Sequence, residues 1–248
     1  MTENIAGVSL PSLLIVPGSW HEPDHFRPLL DELSDIDVHT VTLRSSGKDP
    51  AVLGDMYADA EAIAQAAAAI DGPVVVIAHS YGGIPTTQGL AHAKNVRRII
   101  YLAAFQLGAG ASLTSTNGGS LMSWSRLRRR PGISDYVEAM TPATVFYNDL
   151  DAVTARHAVS QLGYQSYASM RQRLTATAWK SIPSTYVICE RDNALPAATQ
   201  ELFAKRADDV QRMSTSHSPF LSQPAELARL IRRYLACKRN QVKGRHHG

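Results

Sequence analysis

The chain has 248 residues, of which 44% are hydrophobic and 19% charged, and its formal net charge is +3 at pH 7. This composition is typical of a folded globular protein and argues against a disordered chain. Four of the basic residues lie in the tail formed by residues 238–248, and without them 21 basic residues stand against 22 acidic ones. We therefore expect neither a nucleic-acid nor a membrane partner, and we expect the basic tail to be disordered.

The cellular compartment is predicted from the cysteines and from the start of the chain. Two cysteines are too few for a disulfide framework and fit a reducing compartment. The first residues lack the basic and apolar segments of a signal peptide, and no apolar run approaches the roughly 18 residues of a membrane span. These features predict a cytoplasmic protein and leave its oligomeric state open.

Short apolar runs alternate with longer helical patterns, which is typical of a parallel sheet covered by helices. In chain order, strands are predicted at residues 13–16, 38–43, 74–78, 98–102, 185–190 and 210–213. Helices are predicted at residues 24–33, 56–70, 83–93, 197–205 and 224–235. Most of the strands are nearly continuous in apolar character, as expected of strands buried on both faces. The sequence thus predicts an α/β core built from residues 1–105 and 181–237.

Residues 106–180 interrupt this alternation, because they contain no convincing buried strand. A structureless loop of that length is uncommon inside a compact domain, so we predict a mainly helical lid inserted into the same domain. Such an insertion usually covers the carboxyl edge of the strands, where ligands bind. Its basic cluster, which comprises Arg126 and residues 128–130, is interpreted as a solvated face, with contact to an anionic substrate as the alternative.

The segment 74–83, with the sequence VVVIAHSYGG, runs from a Val-rich strand directly into a serine flanked by small residues and then into a helix. A serine on so sharp a turn has a strained backbone, and its neighbours crowd each other, so that Gly-x-Ser-x-Gly is favoured. Ala78 replaces the first glycine here and Gly82 keeps the second. This context predicts Ser80 as a nucleophile, and the alternative is a serine that merely caps the helix.

A serine nucleophile needs a general base, which a third group must orient. Asp192 follows the fifth predicted strand and His217 follows the last one, in the order Ser, acid, His that such a sheet uses. We predict that Asp192 orients His217 as the base for Ser80. Glu190 is the alternative acid, and the alternative for His217 is an ordinary loop histidine.

The oxyanion of a tetrahedral intermediate needs two preorganised donors. The backbone N–H of Tyr81, just after the nucleophile, is the first candidate. The second is the N–H of Ser19, in the loop 17–21 that follows the first strand, although that loop has the alternative reading of a plain connection. We expect the substrate pocket to be lined by Trp20, His21, His79 and Trp124.

Two other motifs do not withstand inspection. Residues 21–25, HEPDH, fit the H-E-x-x-H pattern of zinc proteases, which needs both histidines on one face of a helix. Pro23 cannot lie inside such a helix. The glycines at 108 and 110 lack the strand, third glycine and helix of a dinucleotide site. We therefore expect no metal and no cofactor.

With these motifs, the chain resembles the α/β-hydrolase superfamily, and specifically its small branch of plant methylesterases, hydroxynitrile lyases and bacterial esterases. The resemblance is carried by PGSWH at 17–21, AHSYGG at 78–83, CERDNALP at 189–196 and SHSPFLSQP at 216–224. It implies an α/β-hydrolase fold, with a mostly parallel sheet flanked by helices and a lid. The roles that it implies are a triad of Ser80, Asp192 and His217, with Ser19 and Tyr81 as oxyanion donors.

Departures from the family pattern narrow the expected activity. Pro17 stands where the family usually has a histidine, and Ser218 stands where the lyases carry a lysine, so cyanogenic lyase activity is not expected. We expect a serine hydrolase that cleaves a carboxylic ester, lactone or thioester of a small to medium apolar substrate through an acyl-enzyme. The alternatives are a lyase, cyclase or acyltransferase of a biosynthetic pathway with the same triad, and a non-catalytic small-molecule receptor.

Overall fold

The computed structural model describes residues 10–236, so the predicted disorder of residues 238–248 lies outside the described residues. The strands are β1 (Ser12–Val16), β2 (Val38–Thr40), β3 (Ser46–Gly47), β4 (Val74–His79), β5 (Val96–Leu102), β6 (Ser125–Arg128), β7 (Tyr136–Ala139), β8 (Tyr164–Ser166), β9 (Ser184–Cys189) and β10 (Asp209–Met213). The α-helices are α1 (Arg27–Glu32), α2 (Met56–Ala68), α3 (Gly83–Gly89), α4 (Pro142–Phe146), α5 (Ala152–Gln161), α6 (Tyr167–Arg171), α7 (Ala197–Ala204), α8 (Pro219–Ser222) and α9 (Pro224–Leu235). Across residues 10–236, no helix combines the length and apolar character needed to cross a bilayer.

The main sheet has six strands in the order β10-β9-β5-β4-β1-β2, and every neighbouring pair is parallel. Side chains of β4 alternate between two apolar clusters, with Val74 and Val76 in one and Val75 and Ile77 in the other. Because both faces are covered, the strand reads as a continuous apolar run. The predicted α/β fold with a parallel sheet flanked by helices is confirmed.

Two predicted elements end early. The strand predicted at 38–43 stops at Thr40, because β2 pairs only with β1 and the last pair of that ladder joins Ile15 to Thr40. Val41 and Leu43 nevertheless stay buried, which explains why their apolar pattern looked like a strand. The helix predicted at 83–93 stops at Gly89, where it packs against α2.

Residues 106–180 are an insertion between β5 and β9. It contains α4, α5 and α6, but it also contains β6, β7 and β8, which pair antiparallel. The core strand β3 joins them in a second sheet of order β3-β8-β7-β6. The expectation of no buried strand in this stretch is wrong at β7, where Tyr136 and Val137 are buried. Strands of 3 or 4 residues are too short for a periodic pattern to reveal them.

The contact between α2 and α3 depends on a glycine. A Cβ atom at Gly89 would lie 2.2 Å from the carbonyl oxygen of Ala60, which is far inside contact distance. The absence of a side chain there lets the two helices that flank this part of the sheet approach closely.

We expect Gly89→Ala to lower the free energy of unfolding by about 1–3 kcal/mol, because the added methyl group forces two packed helices apart. Gly108→Ala is the matched control, since a Cβ at Gly108 meets no heavy atom within 4 Å. Chemical denaturation followed by circular dichroism measures both variants. Equal stability of Gly89→Ala and the unaltered protein would contradict the close contact.

Candidate active site

Ser80 lies on the sharp turn between β4 and α3, at the start of the 3₁₀ helix Ser80–Gly82. Its φ is 53°, in the left-handed region that residues other than glycine rarely adopt. A Cβ at Gly82 would lie 2.3 Å from the carbonyl oxygen of Pro17, so only glycine fits there. The Phe105 N–H donates to the Ser80 carbonyl at 3.1 Å and helps to hold the turn. The structure thus places Ser80 on an elbow of the predicted type.

Asp192 and His217 form a buried pair, in which His217 Nδ1 lies 2.6 Å from Asp192 Oδ2. The other carboxylate oxygen accepts hydrogen bonds from the N–H groups of Ala194 (2.7 Å) and Leu195 (2.8 Å). Gln200 Nε2 donates to Oδ2 at 3.0 Å. With its carboxylate fixed in this way, Asp192 selects the tautomer that carries a proton on Nδ1, and Nε2 of His217 is the nitrogen left to act as a base.

Glu190, the alternative acid, is directed elsewhere. Its carboxylate lies 4.0 Å from the Arg212 guanidinium, and its side chain is 44% exposed. Asp192 therefore is the acid that contacts His217.

Ser80 and His217 line one cavity, together with Ser19 and Tyr81. Among residues 10–236, no hydrogen bond joins the Ser80 hydroxyl to the His217 imidazole, so the candidate nucleophile and the candidate base share a cavity without a bond between them. Catalytic hydrogen bonds of this kind are often long before substrate binds and tighten in the reacting complex.

The two candidate oxyanion donors lie beside the nucleophile. The Ser19 N–H donates to no group within residues 10–236. The Tyr81 N–H belongs to the first turn of the 3₁₀ helix, where backbone donors have no partner in their own helix. Both residues line the cavity that Ser80 lines, which is the arrangement expected of an oxyanion hole.

Most of the lining of the cavity is apolar. Trp20 and Trp124, both predicted as pocket residues, line it with their rings edge to face and 5.6 Å apart. Within the described chain, its lining contains no Lys, Arg, Asp or Glu. Sequence reasoning missed the apolar residues Phe105, Leu113, Leu121, Met122, Met170 and Leu195. Several of them lie in Gly-rich loop segments of the insertion. Apolar residues in such loops are the feature of the sequence that could have indicated pocket-lining residues.

The prediction that His21 and His79 line the pocket is wrong, because both lie behind it. His79 directly follows Ala78 at the end of β4. Because successive side chains of a strand point to opposite faces of the sheet, the side chain of His79 lies on the other face from that of Ala78. Its Nε2 donates to the His217 carbonyl at 2.9 Å. His21 Nδ1 donates to the Ser19 carbonyl at 2.9 Å and Nε2 accepts from the Tyr147 hydroxyl at 2.9 Å. Both histidines therefore support loops of the site.

His21, His25 and His79 are buried close together, with ring centroids 4.8 Å apart for the first two and 5.5 Å apart for His21 and His79. Burial is the largest cause that lowers the pKa of each below the ordinary value of 6.5, and strongly so for His21 and His79. Neighbouring imidazoles lower the pKa of His21 and His79 further. These side chains are therefore neutral at pH 7.

The H-E-x-x-H segment does not form a helical metal site. Pro23–Phe26 is a short 3₁₀ helix that starts after His21, and the Nε2 atom of His25 lies 3.3 Å from the Ala158 carbonyl. Within residues 10–236, no group of at least three His, Cys, Asp or Glu side chains is arranged to hold a metal ion.

Arg126 and Arg128 of the basic cluster lie on β6 and residues 129–130 follow it, all outside the cavity lining. Arg128 pairs with Glu138 at 2.6 Å and Arg129 with Asp135 at 3.2 Å. Arg130 lies over the ring of Tyr136 at 5.4 Å. These contacts are those of a solvated face and place no cation next to Ser80.

Comparison with known proteins agrees with this geometry. The model of the Alpha/beta hydrolase family matches residues 13–230. The chain is 32% identical over 239 residues to "Alpha/beta hydrolase nvfD" of Aspergillus novofumigatus, and the alignment covers 90% of this chain and 95% of that protein. It is 30% identical over 237 residues to "Probable hydrolase R7" of Phoma sp., which covers 89% of this chain and 96% of that protein. The chain therefore belongs to the α/β hydrolase family.

Solved structures show the same fold. Polyneuridine aldehyde esterase superimposes with a TM-score of 0.76 at 18% identity, over 90% of this chain and 99% of that one. Membership of the family supports a hydrolase role.

We expect Asp192→Asn to lower kcat for an activated aryl ester by about 10⁴-fold, because the amide no longer holds the tautomer or stabilises the imidazolium. Glu190→Gln is the matched control and should stay within about twofold of the unaltered protein. Steady-state rates of p-nitrophenol release measure both. Similar losses in the two variants would contradict the assignment of the acid.

We expect the free energy of unfolding to fall as the pH is lowered from about 7.5 to about 5.5. The reason is that histidines bind protons in the unfolded state, whereas the buried histidines of the folded state stay neutral. Each buried histidine adds a loss of up to about 1.4 kcal/mol per pH unit below the pKa of its unfolded state. Burial raises the pKa of Asp59 to about 6, and it also raises the pKa of Glu22. These two carboxyl groups stabilise the folded state as the pH falls and so oppose the effect of the histidines.

Denaturant unfolding at the two pH values measures this dependence. His25→Gln keeps a donor for the Ala158 carbonyl and removes one titrating group, so its dependence should be shallower. An equally steep pH dependence in His25→Gln and in the unaltered protein would show that His25 is not a buried, neutral group in the folded state.

Proposed function

We propose that the protein is a serine hydrolase that cleaves a carboxylic ester, lactone or thioester of a small to medium apolar substrate through an acyl-enzyme. One observation carries the proposal: an elbow serine, a histidine bonded to a buried carboxylate, and two free backbone donors line a single cavity. Each group has a role in acyl transfer, and together they make a complete set.

In the first half-reaction, Ser80 Oγ attacks the carbonyl carbon while its proton passes to His217 Nε2. Asp192 stabilises the imidazolium, and the N–H groups of Ser19 and Tyr81 stabilise the oxyanion. The tetrahedral intermediate collapses when the imidazolium gives its proton to the leaving oxygen or sulfur, which breaks the bond to the acyl carbon.

In the second half-reaction, a water molecule gives a proton to His217 and attacks the acyl carbon. The intermediate then expels Ser80, which regains its proton, and the carboxylic acid is released. The chemistry is balanced by water alone, so it needs no cofactor.

The lining of the cavity supports the substrate class. Removal of apolar surface from water stabilises a bound ligand, whereas a substrate charge would be desolvated beside Trp20, Trp124 and Met122 without a counter-ion among the lining residues. An uncharged apolar ester fits these conditions.

We expect Ser80→Ala to lower kcat for a short-chain p-nitrophenyl ester by at least about 10⁴-fold, because the acyl-enzyme cannot form. Ser222→Ala is the matched control. Its buried hydroxyl has no hydrogen-bond partner within the described residues, and its loss should leave kcat within about twofold. Retained turnover in Ser80→Ala would reject the proposal.

The same proteins test the chemistry further. Mass spectrometry should find one organophosphonate adduct on Ser80, since only an activated serine reacts readily. Chromatography of the products should find the free acid. A Ser80-dependent product other than the acid would instead indicate elimination, cyclisation or acyl transfer, and a failure of both turnover and labelling would indicate a receptor.

A further inference from the structure

Trp20 adopts a strained backbone conformation next to a candidate oxyanion donor. Its φ is 65°, in the left-handed region, where a bulky residue costs on the order of 1–3 kcal/mol and persists only when its surroundings hold it. Ser19 precedes it directly, so the groups that hold Trp20 also hold the loop that carries the Ser19 N–H. The groups that hold Trp20 therefore shape the oxyanion hole.

Most of the groups that hold Trp20 come from the insertion. The Gly163 N–H donates to the Trp20 carbonyl at 2.9 Å, and the Trp20 indole N–H donates to the Val137 carbonyl at 2.8 Å. The Trp20 backbone N–H donates to Ser46 Oγ at 3.1 Å and lies 3.4 Å from Gln165 Oε1. The loop thus depends on strands β7 and β8 and on β3, to which β8 is paired.

Gln165 on β8 is fully buried, and both ends of its amide are bonded. Its Oε1 accepts from Ser46 Oγ at 2.5 Å, next to Trp20. Its Nε2 donates to Ser45 Oγ and to Ser169 Oγ, each at 2.7 Å. A buried amide with partners on both sides is held in one orientation and in turn orients those partners.

The same network reaches the second candidate donor. Ser45 Oγ, which accepts from Gln165, donates to Asp59 Oδ2 at 2.5 Å, and the Tyr81 hydroxyl donates to that oxygen at 2.8 Å. The Ser45 N–H donates to Asp59 Oδ1 at 2.9 Å. The ring of Tyr81, whose backbone N–H lies beside Ser80, is therefore connected to Gln165 through two buried groups.

A second glutamine of the insertion provides a comparison. Gln172 Oε1 accepts from the Met56 N–H at 2.8 Å, and Nε2 donates to Asp55 at 2.8 Å. These bonds tie the insertion to the start of α2 and involve neither Trp20 nor Tyr81. Gln172 thus has a docking role alone, whereas Gln165 bonds to the network that holds both candidate donors.

We propose that Gln165 is a positioning residue that fixes both candidate oxyanion donors, by holding Trp20 on one side and Tyr81, through Ser45 and Asp59, on the other. The inference rests on the proposed function, because it concerns the same carbonyl chemistry. It gives the insertion a part in catalysis: the docking of β8 sets the geometry of the hole.

Gln165→Met tests this role, because it keeps the length of the side chain and removes its hydrogen bonds. We expect kcat for the p-nitrophenyl ester to fall about tenfold or more while KM changes less than about threefold, since oxyanion contacts form mainly in the transition state. An apolar boronic acid, whose tetrahedral adduct with Ser80 places an oxygen in the hole, should lose affinity by a similar factor. Gln172→Met should keep kcat within about twofold of the unaltered protein, even if its melting temperature falls as much as that of Gln165→Met.

Hydrogen exchange gives a readout that does not depend on turnover. The Trp20 amide, followed in a peptide that spans residues 17–21, should exchange faster in Gln165→Met than in the unaltered protein and in Gln172→Met. If Gln165→Met does not fold, Ser46→Ala replaces it as the test, because it removes less of the network. We expect Ser46→Ala to lower kcat and to speed the exchange of the Trp20 amide.

The outcomes separate the two proposals. Ser80-dependent turnover and Trp20 exchange that both survive in Gln165→Met would overturn the positioning role and leave the proposed function standing. A kcat loss equal to that of Gln172→Met at matched stability would also overturn it. Absence of Ser80-dependent turnover in the unaltered protein would overturn the proposed function, and the positioning role with it.

Discussion

The close approach of two backbone segments is the constraint on which the rest of the site depends. The turn after β4 packs so tightly against the loop after β1 that the Cα of Gly82 faces the Pro17 carbonyl without room for a side chain. Since β1 and β4 are neighbours in the parallel sheet, both loops leave the same edge. The tight packing brings the elbow serine, whose backbone is left-handed, and the loop of Ser19 to one cavity.

Buried polar groups then fix what the backbone brings together. On one side, Asp192 is held by backbone donors and by Gln200, and it orients His217. Behind the cavity, His21 and His79 stay neutral and bond to carbonyls of the loops that carry the chemistry. Because the Asp192 carboxylate and both ring nitrogens of His21 have specific partners, these groups are held in fixed orientations.

The parts of the site that the sequence predicted are those where chemistry restricts the residue type. The strand-serine-helix segment located Ser80, and the ends of β9 and β10 located Asp192 and His217, which the structure brings together as a bonded pair. The alternation of side chains along β4 turns His79 away from the cavity, and the pocket prediction did not take this alternation into account. Strands β6 to β8 lie beyond such reasoning, because they are short and because β8 pairs with β3, distant in sequence, so that no local pattern encodes them.

The pairing of β3 with β8 restricts how the insertion can move relative to the main sheet. The insertion is joined to the core by a main-chain ladder as well as by side chains, so it cannot swing away as a hinged flap without breaking backbone hydrogen bonds. The loop segments that precede β6, which contribute Leu113, Leu121 and Met122 to the lining, lie outside this ladder. A rearrangement of these loops would therefore change the shape of the cavity and leave the main-chain ladder intact.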